Sequence, residues 1–218
     1  MKKLFLKLTF VAVFLCPAYA NSQFLAGGQL NYSQHIDLSN ILNGPGMGYA
    51  GIGLFGDYGF GGNSIKASLN FGLPFRIERS YDLMNSTTFD YDTTIGGFER
   101  YRFFTFAVDY KYYLVDGDAE IGGFYFFAGG GLTIATITNH PDDFDESTLE
   151  TTSDYSGKSR IFQPVIRGGA GYEHAFNFGN IFVEPFFNIP ANQLFGVSFA
   201  VNLPMSVGIQ AGIKIPVF

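Results

Sequence analysis

Residues 64 to 78 read SIKASLNFGLPFRIE, an alternation that only one kind of backbone accommodates. Ile65, Ala67, Leu69, Phe71, Leu73, Phe75 and Ile77 share one phase, while Lys66, Ser68, Asn70, Gly72, Arg76 and Glu78 share the other, where Pro74 alone is apolar. A period of two describes a β-strand with two chemically different faces. A soluble sandwich would bury the apolar face. A membrane barrel would turn it toward lipid. The alternation itself does not choose.

The spacing of the remaining strands bears on that choice. Eight segments read as strands, at about 23–34, 48–60, 64–78, 100–114, 121–137, 161–175, 181–189 and 203–215. Three connections are tight and rich in Gly, Asn and Asp: 61–63, 115–120 and 176–180. The other four, 35–47, 79–99, 138–160 and 190–202, are long, and short and long alternate without exception. Short periplasmic turns and longer outer loops, with an even strand number, are the pattern of an up-and-down outer-membrane barrel. A Greek-key sandwich has no reason to gather every long loop at one end.

The first twenty residues, MKKLFLKLTFVAVFLCPAYA, have a basic start at Lys2, Lys3 and Lys7, an apolar run from Leu8 to Leu15, and an A-x-A site at Ala18–Ala20. They read as a secretory signal peptide, 1–20, ahead of a barrel domain, 21–218. The chain's one cysteine, Cys16, leaves with it, so neither disulfides nor thiolate metal sites are expected, and no cofactor. Removing three of thirteen Lys and Arg, against nineteen Asp and Glu, leaves a mature charge of about −9, which argues against a nucleic-acid partner. Phe 26 and Tyr 13 make the chain strongly aromatic, yet no stretch beyond the leader has the apolar length of a membrane helix.

The polar phase decides which face is wet. By this register it holds Asp57, Lys66, Arg76, Glu78, Asp109, Lys111, Arg167, Glu173, Glu184 and Lys214, five charges of each sign. Gly51, Gly53, Gly72, Gly169, Gly171, Gly208 and Gly212 fall on the same phase. Eight strands enclose an interior just wide enough for side chains to fill, so small residues must relieve crowding there. The apolar stripes of the third and eighth segments are longer than an average soluble strand would bury. The expectation is therefore an all-β, eight-stranded antiparallel up-and-down transmembrane barrel. Lys66, Arg76 and Glu78 should point inward, within a salt-bridged lumen network, and the phenylalanines outward.

With its leader, its alternation and its hairpin RFFTFAVDYKYYL…GGFYFFAGGGL, the chain resembles the small outer-membrane β-barrel family of OmpX-like and PorT-like proteins. The resemblance implies a terminal signal read by the barrel-assembly machinery, for which Gly212, Ile213, Ile215 and Phe218 stand in place. Outer-membrane localisation and a monomer are expected, and so, from the lack of any catalytic spacing, is a protein without enzymatic activity.

Some barrels of this size modify lipid A with a His, a Ser and an acid. Here His35 and His140 fall at outer loops, His140 close to Asp142, Asp143 and Ser147, but nearness in sequence does not make a triad. His174 reads as an interfacial residue near a short turn. The acidic stretch 139–158 carries Asp142, Asp143, Asp145, Glu146, Glu150 and Asp154 without the spacing of a Ca²⁺ loop, and with loop 79–99 forms the expected surface for a ligand through 79–99 and 138–160. Arg79, Arg100, Arg102 and Arg160 fall on the lipid-facing phase beside the long loops, where guanidinium forks would meet lipopolysaccharide phosphates. Snorkelling to the interface accounts for the same placement. The expected role is envelope structure or surface interaction, with a small transporter of apolar molecules as the alternative. A lipid A-modifying barrel and a secreted lipocalin-like protein rank lower.

Overall fold

A computed structural model of the chain describes residues 23–36, 47–60, 62–84, 91–114, 122–141, 157–195 and 203–217. The strands are β1 (Gln23–Ile36), β2 (Gly48–Phe60), β3 (Asn63–Gly72), β4 (Phe75–Met84), β5 (Tyr91–Tyr113), β6 (Gly122–Pro141), β7 (Lys158–Phe176), β8 (Gly179–Pro190) and β9 (Met205–Pro216). They form one sheet in the order β3-β2-β1-β9-β8-β7-β6-β5-β4, and β3 pairs with β5 to close it. Because β3 and β4 are two halves of one stave, the result is a closed eight-stranded barrel, with every neighbouring pair antiparallel. Closure pairs the backbone groups that an open sheet would leave at its edges.

Strand positions match the alternation, but two expected loops are shorter than read. The segment 79–99 is mostly strand, since β4 runs to Met84 and β5 begins at Tyr91. Likewise β6 continues to Pro141 and β7 begins at Lys158. The segment 190–202 opens with a single helical turn, α1 (Ala191–Phe195). Polar residues in these stretches hid the strands, because beyond the apolar belt neither face need be apolar.

The second difference lies inside the opening stretch. Phe71 pairs with Phe104, yet Phe75 pairs with Tyr101, so three residues of one strand face two of the other. This is a β-bulge at Gly72–Pro74, where Pro74 has no N–H to donate and Leu73 N donates to Ala50 O at 2.8 Å. One extra residue reverses the facing of everything beyond it. Phe75 and Ile77 therefore turn inward, and Arg76 and Glu78 are exposed on the outside. The expectation that these two charges line the lumen is corrected.

Outward positions are apolar on every stave: Leu30 and Tyr32, Ile52 and Leu54, Ile65 to Phe71, Phe106 to Tyr112, Phe124 and Phe126, Phe162 and Tyr172, Ile181 and Val183, and Ile209 to Ile215. Along β5 and the residue that follows it, Phe104 to Leu114 spans ten residue-to-residue steps. At about 3.3 Å per residue and a tilt of about 40°, that is a belt roughly 25 Å tall.

Inside, the phenylalanines are not all outward as expected. Phe55, Phe103, Phe127, Phe182 and Phe186 are buried in the lumen. Inward glycines make room for them. A methyl group on Gly169 would lie 2.7 Å from the Phe127 ring, on Gly208 2.6 Å from Phe186, and on Gly212 2.8 Å from Phe182. Glycine on the polar phase thus seats rings as well as long charges.

Candidate functional site

The lumen has three levels, for which β5 is a ruler. At the short-turn end, Asp109, Lys111 and Tyr113 face inward. Next comes Thr105, which shares a hydrogen bond with Thr133 at 3.1 Å. Phe103 and Tyr101 follow, in an apolar cluster with Ala135, Ile161 and Leu203, packed by Met47, Tyr49, Phe75, Ile77 and Ile137.

The lowest level is an ion network. Eight of the ten charges read onto the inner phase are brought together: Asp57, Lys66, Asp109, Lys111, Arg167, Glu173, Glu184 and Lys214, all buried. Glu184 accepts from Lys66 at 2.8 Å and Lys111 at 2.6 Å. Lys214 bridges Asp57 at 3.0 Å and Glu173 at 2.7 Å, and Lys111 also approaches Asp57 at 3.5 Å. Arg167 meets Asp109 at 3.4 Å across Gly129, whose missing side chain leaves the way open between them. Four charges of each sign close on one another. A lone one in this setting would be costly to desolvate.

Neutral groups complete the network. Tyr125 donates to Glu184 at 2.6 Å, Tyr113 to Glu173 at 3.1 Å, Asn180 to Glu173 at 2.6 Å, and Gln210 to Glu184. The Lys66 ammonium lies 4.2 Å over the Phe182 ring and 4.7 Å over Phe55. Tyr113 and Tyr125 are additional members that were not among the expected lumen residues, although Tyr113 shares the phase of Asp109 and Lys111, a parity that marks it as inward.

Amides fill the middle level. Gln29 donates to Asn70 at 2.6 Å and to Gln210 at 3.3 Å, and Asn31 donates to Asn70 at 3.1 Å. A cavity of about 20 Å³ lies between Asn70, Gln210 and Arg167, and another of about 10 Å³ between His35, Asn188 and Ser206. Each is sized for a single water.

The arginines read as an outer girdle divide. Arg100, Arg102 and Arg160 point outward. Arg79 does not, because the bulge places it on the inner face of the β4–β5 hairpin, where Nε donates to Glu99 at 3.1 Å and Tyr101 donates to the same carboxylate at 2.5 Å. Its expected place among the outward arginines is corrected, and Arg76 stands outward instead. The guanidinium of Arg76 lies 4.6 Å over Phe98, whose ring stacks on His140 at 4.7 Å.

The histidines are dispersed. His35 is buried against Tyr49 and Phe103, and His174 is outward, edge-on to Phe176 at 4.7 Å. Asp142, Asp143, Ser147 and the rest of the acidic stretch 142–156 lie outside the described residues, as do the leader and Phe218. Gly212, Ile213 and Ile215 lie on β9, with both isoleucines exposed.

No family model matches this chain, and no curated protein matches it. Among solved structures it is similar to the crystal structure of Neisserial surface protein A (NspA), with 8% sequence identity and a TM-score of 0.55, covering 89% of this chain and 97% of that one. At this identity the likeness concerns the fold.

Proposed function

We propose that this chain is a non-enzymatic integral barrel of the outer membrane, akin to the small OmpX-like and PorT-like proteins, that serves envelope structure and meets surface partners through its outer hairpins. The observation that carries the reading is the inverted distribution of polarity. Four lysine and arginine side chains and four carboxylates are buried at the centre, while Leu30, Leu54, Phe124 and Phe162, each more than half exposed, stand on the outside. In water such a surface would drive aggregation. Against acyl chains it is the favourable one, and closure leaves no backbone edge unsatisfied. The fold likeness to a Neisserial surface protein supports an envelope location.

The lumen argues for structure rather than transport. Ion pairs cross it near the short turns, and the aromatic and aliphatic cluster around Phe103 and Leu203 stands above them. A transporter of apolar molecules needs a hollow upper lumen or a lateral opening, and the two cavities described among the lumen residues have room for little more than water.

Expression with the leader, followed by fractionation and planar-bilayer recording, tests the reading. The barrel should appear in the outer-membrane pellet with heat-modifiable gel mobility and give no stable single-channel conductance. Recovery from the periplasm or medium, or a large stable conductance, would overturn it.

A further inference from the structure

Beyond residue 20 the chain has ten Lys and Arg, thirteen less the three in the leader. Four are in the lumen, and Arg79 pairs with Glu99. The other five, Arg76, Arg100, Arg102, Lys158 and Arg160, all point outward on β4, β5 and β7. Register places them in two adjacent rows. Arg76 is opposite Arg100, Arg100 opposite Thr138, and Thr138 opposite Lys158. One row lower, Arg102 is opposite Thr136 and Thr136 opposite Arg160.

Strands about 4.8 Å apart and rows about 7 Å apart make this a patch roughly 15 Å wide. None of the five makes an ion pair among the described residues, and across 75–80, 96–114, 123–140 and 158–176 the one outward carboxylate is Glu78, two residues from Arg76. Like charges directly opposite one another, as Arg76 and Arg100 are, weaken a sheet unless an anion stands between them.

From this arrangement we infer that the outward face of β4–β7 binds the phosphates of a diphosphorylated glycolipid headgroup in the outer leaflet. The inference rests on the outer-membrane reading above. Three features point to a lipid. The patch begins one row above the apolar belt, with Phe104 below Arg102, Phe162 below Arg160 and Ile134 below Thr136, so acyl chains and phosphates would be met in the right order. It is also one-sided. Among the described residues, the outward phases of β1, β2, β8 and β9 carry no charge at all. Snorkelling gives no reason for that polarity, whereas a bound headgroup does. Finally, the stack of Arg76 on Phe98 and His140 holds a planar fork in place before any ligand arrives.

The test uses the purified mature barrel in detergent micelles doped with diphosphoryl lipid A, monophosphoryl lipid A or phosphatidylethanolamine, with bound lipid measured by native mass spectrometry. The wild type should hold the diphosphoryl form most tightly. Arg100→Gln/Arg102→Gln/Arg160→Gln should weaken it at least tenfold, given roughly fivefold per basic residue at an anionic lipid surface. Arg76→Gln should weaken it severalfold, while Arg79→Gln should not. Heat-modifiable mobility reports folding, and the single exposed change Arg102→Gln, expected to cost about fivefold, serves if the triple variant misfolds. Binding within twofold of wild type in a folded triple or single variant overturns the site, as does equal loss in Arg79→Gln. So does pyrophosphate held as tightly as the lipid, the mark of a site for free phosphates. A barrel that fails to enter phosphatidylcholine vesicles would instead sink the membrane reading. One that enters them and shows no phosphate preference sinks this inference alone.

Discussion

Lys66 and Glu184 stand on strands four places apart in a ring of eight, on opposite walls of the barrel, and their side chains meet at 2.8 Å. The pair spans the lumen. Lys111 reaches the same carboxylate at 2.6 Å from a third strand, so Glu184 ties distant staves together.

Glu184→Gln should accordingly be among the most damaging single changes. It leaves Lys66 and Lys111 buried with one fewer counter-charge, at a cost of about 3–5 kcal/mol. Urea unfolding in detergent or vesicles measures it. Pairing it with Lys66→Met should recover part of the loss, since the double change removes one charge of each sign.

Gly171 faces Tyr125, and a methyl group there would meet only that ring among its nearest neighbours. Gly171→Ala should push the ring away from Glu184 and cost about 1–3 kcal/mol. Tyr125→Phe, which removes the hydroxyl that donates to the buried Glu184 carboxylate, should cost about 1.5–3 kcal/mol. Because both act on one contact, the double variant should be less destabilised than the sum of the two in the same urea experiment.

The bulge at Gly72–Pro74 predicts an accessibility pattern opposite to simple alternation. In a cysteine-free mature chain, Arg76→Cys should react readily with a membrane-impermeant maleimide, and Ile77→Cys should react slowly. Deleting Leu73 removes the extra residue and gives unbroken alternation from Phe71 to Ile77, so the two rates should keep their order. Faster reaction at Ile77→Cys than at Arg76→Cys in the full-length strand, or an exchange of the two rates on deletion, would mean that the register beyond the bulge is not as described.

How far the architecture was legible depended on which forces wrote it. Where one face met the belt and the other the lumen, as at Phe106 and Asp109, alternation carried the facing directly. It misled beyond Phe71 because a bulge inserts a residue without altering the printed pattern, and SIKASLNFGLPFRIE alternates across the slip. Pro74 was the one mark of it. Lumen aromatics such as Phe182 and Phe186 were hidden for a different reason. A phenylalanine satisfies either face, and only its pairing with an inward glycine on a neighbouring strand, Gly212 or Gly208, tells which. The charge network was readable as composition and phase. Its partners across the barrel were not, since they depend on shear that no local pattern records.

The central claim is that the outward phase contacts acyl chains while the inward phase contacts other side chains. The chain has no tryptophan, so a single one can report on either face. Phe106→Trp and Phe103→Trp lie three residues apart on β5, one exposed and one buried. In vesicles of lipids brominated along their acyl chains, fluorescence of Phe106→Trp should be strongly quenched and that of Phe103→Trp nearly unaffected. Strong quenching at Phe103→Trp with none at Phe106→Trp would contradict the account.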